Sequence, residues 1–173
     1  MEMFRSEPAP NIAAWHKQQM FHGRFTRADK ASKVIFSPFN QPEGAYSSQD
    51  TFDVDPTGLE GLSGIASAGE ILFLGKAYGM WRLTGSLRES FRLERMSTPF
   101  GFVGMRTMDM LAPGALVGFV TENEFGSTTV DQLPIASNVA IVTAEGAKPI
   151  GDRVLTSIRA SGDISAQARV RVW

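Results

Sequence analysis

The sequence predicts a mostly β chain built from antiparallel hairpins and meanders. Three observations carry this. Short apolar or alternating runs stop abruptly at turn residues, most clearly over 71–85 and 139–150. No segment is both long and periodic at 3.6 residues, as an amphipathic helix requires. The 17 glycines and 9 prolines are scattered along the chain rather than gathered in a tail, so turns recur throughout.

The elements follow in order. Residues 1–14 hold two closely spaced prolines and little periodicity and are read as an N-terminal arm; 15–173 form a single β domain. Gln19-Met20-Phe21-His22-Gly23-Arg24-Phe25 and Lys33-Val34-Ile35-Phe36-Ser37 flank a polar stretch and read as a hairpin. Residues 37–50 are punctuated by Pro38, Asn40, Pro42 and Gly44 as a loop. Thr51-Phe52-Asp53-Val54-Asp55-Pro56 alternates like a half-exposed strand. Residues 71–75, 80–85 and 91–95 then offer three close strands: one buried, one amphipathic, one alternating like an edge.

A meander of this kind is what one blade of a β-propeller requires. The beat recurs at 115–121 and at 139–143. Phe73 and Phe119 lie 46 positions apart, near the ~40–45 residues of a propeller blade. Phe119 and Ile141 lie 22 apart, about half a blade by the same measure. The expectation is therefore propeller-like blades, in an incomplete set and with imperfect repetition. Residues 151–165 read as a short helix or irregular connection. Ala168-Arg169-Val170-Arg171-Val172-Trp173 reads as a terminal strand that pairs within the chain or with another subunit.

Bulk properties narrow the function. The chain has 173 residues, 43% of them hydrophobic, and a formal net charge of −1. That suffices for one core and lacks the basic surplus typical of nucleic-acid binders. Without cysteine, disulfides, thiolate metal sites and cysteine nucleophiles are excluded. The longest mostly apolar run, 110–120, falls short of the ~20 residues of a membrane span, so no membrane role is expected.

Candidate chemistry is thin. Asp50, Asp53, Asp55 and Glu60 form the densest acidic group. Their spacing fails the alternating ligands and closing glutamate of a calcium loop, and the plain reading is a solvated strand face. Paired carboxylates allow a glycosidase reading, but nothing selects a pair. His16 and His22, taken as one strand, would lie ~20 Å apart, too far to share a metal; structural histidines are expected. No Gly-x-Ser-x-Gly elbow or phosphate-cradling glycine motif is present. Arg82, Arg88, Arg92, Arg95 and Arg106, with Trp81 and Phe91, could form a stacking nucleic-acid face; interspersed Glu89 and Glu94 favour a charged edge strand. Met96, Met105, Met108 and Met110, with Phe100 and Phe102, are expected to lie partly at a subunit contact, since a short chain has few layers to hide them. No catalytic, cofactor-binding or metal residues are assigned, no cofactor is expected, and the chain is not expected to be an enzyme.

The order of elements resembles tailed-phage tail and neck proteins, including the propeller-bearing nozzle proteins of short-tailed phages. Four stretches carry the likeness: Trp15-His16-Lys17-Gln18-Gln19-Met20-Phe21; Lys33-Val34-Ile35-Phe36-Ser37 with Phe52-Asp53-Val54; Leu72-Phe73-Leu74-Gly75-Lys76 with Gly79-Met80-Trp81-Arg82-Leu83-Thr84-Gly85; and Ile141-Val142-Thr143-Ala144-Glu145-Gly146 with Lys148-Pro149-Ile150-Gly151. It spans about 14–158. Members of that class are usually much longer, and 122–138 lacks a clear middle strand. The resemblance implies a virion structural protein, made in the host cytoplasm, that packs in a homo-oligomeric ring with other tail or neck proteins around a channel. DNA would pass through transiently. The alternative is a glycan-binding or glycan-degrading β protein on a virion or cell surface.

Overall fold

The computed structural model describes residues 10–25, 31–42, 50–56, 60–98, 100–102, 104, 108–122 and 138–150. They form three antiparallel sheets and no α-helix. The first sheet runs in chain order through β1 (Pro10–His16), β2 (Gln19–Phe25), β3 (Lys33–Phe36) and β4 (Thr51–Asp53). The second does the same through β5 (Gly64–Ala68), β6 (Ile71–Lys76), β7 (Gly79–Thr84) and β8 (Arg92–Arg95). A 3₁₀ turn, Arg88–Ser90, leads into β8.

The third sheet holds β9 (Phe100–Phe102), β10 (Met108–Ala112), β11 (Ala115–Glu122), β12 (Asn138–Thr143) and β13 (Gly146–Pro149). Its register makes it a four-stranded meander too. Val120 pairs with both Phe102 and Asn138, and Gly118 with both Met108 and Ala140. A strand residue has one neighbour on each side, so β9 and β10 share the side of β11 opposite β12 and act as one interrupted strand. The described residues are thus three successive four-stranded meanders resembling blades of an incomplete propeller.

Side-chain alternation stacks them. From the first sheet Ile12, Phe21, Val34 and Phe36 meet Ile65, Leu72, Leu74, Trp81 and Leu83 of the second, all buried. The intervening residues of the second sheet turn the other way: Ala68, Phe73 and Met80 meet Phe102, Leu116, Val120, Ala140 and Val142 of the third. The middle sheet is therefore buried on both faces. An aromatic chain fills the first interface: Phe21 stacks on Phe36 at 5.8 Å between centroids, and Phe91 meets Phe36 edge-on at 5.1 Å. The first strands lie side by side, β1 against β5 and β5 against β10, as inner strands around a common line must.

The spacing of the repeat now has a structural meaning. Phe21, Phe73 and Phe119 occupy the second strands β2, β6 and β11. Phe21 and Phe73 each project toward the sheet that follows, and the 46-residue interval from Phe73 to Phe119 is one meander. The shorter interval of 22 links β11 to β12 within a single sheet.

Several expectations are corrected. The segment read as an arm reaches into a strand, because Pro10 to Ala14 belong to β1. The stretch from Trp15 to Phe21 is not one strand, since Lys17 and Gln18 reverse the chain within it. The strand β5 was hidden by small residues, Gly64, Ala66, Ser67 and Ala68, whose weak β preference resembles a loop. The strands β9 and β10 were hidden among the methionines. Residues 1–9, 151–165 and the terminal segment 168–173 lie outside the described residues.

Lys17 and Gln18 both adopt positive φ, 44° and 62°. A two-residue hairpin turn matched to strand twist requires this, and Asn-Gly supplies it with least strain. The Gln18 side chain is exposed. Gln18→Gly is expected to stabilise the chain by about 1 kcal/mol, seen as a rise of a few degrees in Tm; a fall would show that the side chain matters.

Candidate functional site

The densest polar arrangement surrounds Lys76, the last residue of β6. Its side chain is 2% exposed, which is unusual for lysine. Alternation carries it away from Phe73 and Gly75, onto the face packed against the first sheet. There its Nζ donates to Ser32 Oγ and to the Asp55 carbonyl, each at 2.9 Å. It also lies 5.7 Å from the Trp81 ring centroid. Asp55 has a φ of 49°, a left-handed conformation that aspartate tolerates better than most residues.

Charge explains why a lysine is stable here. Burial lowers its pKa, while Asp55, Glu60 and Asp53 oppose the shift. Glu60 is pushed up, chiefly by loss of solvent and also by Asp55; the Tyr78 backbone N–H, Lys76 and Arg95 pull it back. Ser32 Oγ also donates to the Glu60 carbonyl at 2.9 Å. Asp55 and, through Ser32, Glu60 are thereby tied to the second sheet through one ammonium group. The arrangement can neutralise an acidic loop and fix its path; a cation this enclosed offers little to an external substrate.

Lys76→Met keeps the volume but removes the charge and both hydrogen bonds. We expect a loss of about 2 kcal/mol at pH 7, measured by urea denaturation. The loss should shrink in acid, as Glu60, whose carboxyl is pushed up by loss of solvent, takes up a proton. An equal loss at pH 7 and in acid would show that charge is not the cause.

The acidic group read from sequence is only partly assembled. Asp53, Asp55 and Glu60 share the field at Lys76. Among the described residues, no three of His, Asp and Glu converge as a metal-ligand set. The one sign of Lys76 in the sequence is a single cation closing the apolar run from Ile71 to Leu74; its partners are distant in the chain.

The two histidines are not on one strand. The turn at Lys17–Gln18 puts His16 on β1 and His22 on β2, and alternation sets them on opposite faces of the first sheet. His16 is buried, with its Nδ1 2.8 Å from Ser67 Oγ on β5. Desolvation, and secondarily Lys17, lowers its pKa to about 4, against a smaller opposing effect of Glu70. It is neutral near pH 7. Its Nε2 and the Oε1 of Gln19, its partner across the hairpin, are buried without protein hydrogen-bond partners.

The arginines do not form a stacking face. Trp81 is buried beneath the Arg95 guanidinium, 5.5 Å from its centroid, and Phe91 packs into the first interface. Arg82 pairs with Glu94 at 2.8 Å and donates to the Ala144 carbonyl of the third sheet. Arg88 lies 4.0 Å from Asp50. β8 is the charged outer edge of the second sheet. Arg106 lies outside the described residues.

The methionine group divides between the core and the surface. Met96, Phe100 and Phe102 are buried between the second and third sheets, and Met108 packs against them. The stacking of sheets supplies the layer that the short length seemed to deny. Met110 stays 57% exposed; Met105 lies outside the described residues. In comparisons with known proteins, no family model matches the chain and no curated protein matches its sequence.

Proposed function

We propose that the chain is a structural component of a tailed-phage virion, in the tail, neck or nozzle, that assembles by subunit packing around a channel. The supporting observation is the serial stacking of three meanders with their first strands side by side. A stack of this kind works through its faces and edges, and it contains the hairpins at 71–85 and 139–150, which include two of the four stretches that carry the resemblance. Its partners are copies of itself and neighbouring tail or neck proteins, and DNA passes without being held. Electron microscopy of the purified protein, with analytical ultracentrifugation, tests this: rings or short tubes are expected, and a protein that stays monomeric overturns self-assembly.

One observation favours the glycan reading. Tyr78, 38% exposed at the β6–β7 tip, adjoins Glu60 through its backbone N–H, with Asp55 and Arg95 close by. Aromatics beside carboxyl groups suit sugar rings. Depolymerisation of a bacterial surface polysaccharide that is lost in Glu60→Gln would favour this reading over the structural one.

A further inference from the structure

We propose that the Asp55–Pro56 peptide bond is a site of self-cleavage, with the Asp55 carboxylate as nucleophile and Lys76 activating the scissile carbonyl. This goes beyond the assembly reading and does not depend on it.

An enclosed cation reaches few external molecules, but Lys76 already touches a peptide carbonyl of its own chain. Its Nζ donates to the Asp55 carbonyl at 2.9 Å, and that carbonyl is the acyl half of the bond to Pro56. The residue types on either side make this bond labile. The proline nitrogen is more basic than an ordinary amide nitrogen, so it leaves more readily. Aspartate can close a five-membered ring onto its own carbonyl carbon, so covalent structure itself keeps the nucleophile close.

The backbone adds strain. Asp55 has a φ of 49°, in the left-handed region that is costly for a residue other than glycine. The ring of a following proline also pushes the residue before it toward extended conformations. The conformation persists because the chain is pinned around it. Val54 is buried, and its N–H bonds to the Ser32 carbonyl at 3.0 Å. Lys76 holds Ser32 Oγ and the Asp55 carbonyl together. Breaking the bond releases the strain, which favours the products. A strained residue whose own carbonyl is held by a buried ammonium is the juxtaposition that carries the proposal.

The chemistry balances. A carboxylate oxygen of Asp55 adds to the Asp55 carbonyl carbon. Negative charge moves to the carbonyl oxygen, where Lys76 already donates; the nearby acids favour its ammonium form. A donor fixed on a developing oxyanion lowers the barrier. Collapse breaks the C–N bond, and the Pro56 nitrogen takes a proton from solvent, to which Pro56 is exposed. The acyl side is then a cyclic anhydride of Asp55. Water opens it to two carboxyl groups. One water is consumed, and nothing is oxidised or reduced. The pieces stay associated, because Phe21, Val34 and Phe36 remain packed on the second sheet.

The test incubates the full chain in mildly acidic buffer, folded or unfolded in urea, and follows intact mass and N-terminal sequence. A break between Asp55 and Pro56 is expected, about tenfold or more faster in the folded chain. Lys76→Met should slow scission of the folded chain about 100-fold and leave the unfolded chain unchanged. Asp55→Gly removes the nucleophile and suits the left-handed φ; Pro56→Ala removes the labile nitrogen. Both should fold, which circular dichroism verifies, and both should stay whole. Hydroxylamine should trap the anhydride as a hydroxamate on Asp55. A chain that stays whole, equal rates in the folded and unfolded chains, or indifference to Lys76→Met overturns the proposal. If Lys76→Met does not fold, the ratio of folded to unfolded rates in the wild type decides. The assembly reading survives each of these outcomes.

Discussion

Replacing Gly75 with alanine should destabilise the chain by about 3 kcal/mol or more, the largest effect expected from adding a single methyl group. Gly75 lies on the face of β6 that meets the third sheet. A Cβ there would run into the Phe102 ring and lie 2.7 Å from Phe102 Cβ and Cγ. Phe102 is fully buried and has nowhere to retreat. Its neighbour Gly101 is held as closely, because a Cβ at Gly101 would press on the Lys76 and Ala77 carbonyls. Thr121 Oγ1 also donates to the Ala77 carbonyl, so the β6–β7 tip is gripped from two strands of the third sheet. Urea denaturation of Gly75→Ala, Phe102→Ala and the double variant forms a cycle. Phe102→Ala alone should cost about 3–5 kcal/mol. The double variant should lose clearly less than the sum, with incomplete relief because the residue 102 Cβ remains. Strict additivity would show that the two positions do not interlock.

The second large effect is a loss of stability in acid, centred on His16. Its pKa falls from 6.5 to about 4 on folding, so the neutral form is the one the fold retains. Above pH 6.5 both folded and unfolded chains carry the neutral ring, and the full stability is present. As pH falls from 6.5 to about 4, the unfolded chain takes up a proton that the folded chain refuses. Stability drops through that window by about 3 kcal/mol and this contribution levels off below it. His22, also lowered by burial, adds to the loss in the same direction. Denaturation of the wild type and His16→Gln between pH 8 and 4 measures this. The variant should be less stable at pH 8 but show a shallower pH dependence. An unchanged slope would assign the acid sensitivity elsewhere.

Much of the fold could be read from the residues, and what could not has physical causes. Strands whose own side chains form the core announce themselves, as Leu72, Phe73 and Leu74 do on β6. β5 has the same standing in the sheet but is built from glycine, alanine and serine. It must be thin where it packs between neighbouring first strands, and thin strands read as loops. The Lys17–Gln18 reversal was missed because neither residue is a usual turn former; the tertiary structure sustains their positive φ. Lys76 escaped notice for another reason. Its partners come from positions 32, 53, 55 and 60, and their convergence depends on how the first sheet folds back over the second. The charged character of β8, by contrast, was legible from Arg92, Glu94 and Arg95, because an outer edge needs no long-range information to be recognised.

Pairing only between strands that are neighbours in the chain, or nearly so, has a kinetic consequence. Each sheet can close from local hairpins, which carry a small loop-closure cost and form quickly. The contacts between sheets come later and are more distant in sequence. During synthesis the first meander can form while the second is still emerging, but the second exposes a bare apolar face until the third arrives. The interval between the appearance of β8 and the completion of β12 is therefore when the nascent chain is most prone to aggregate.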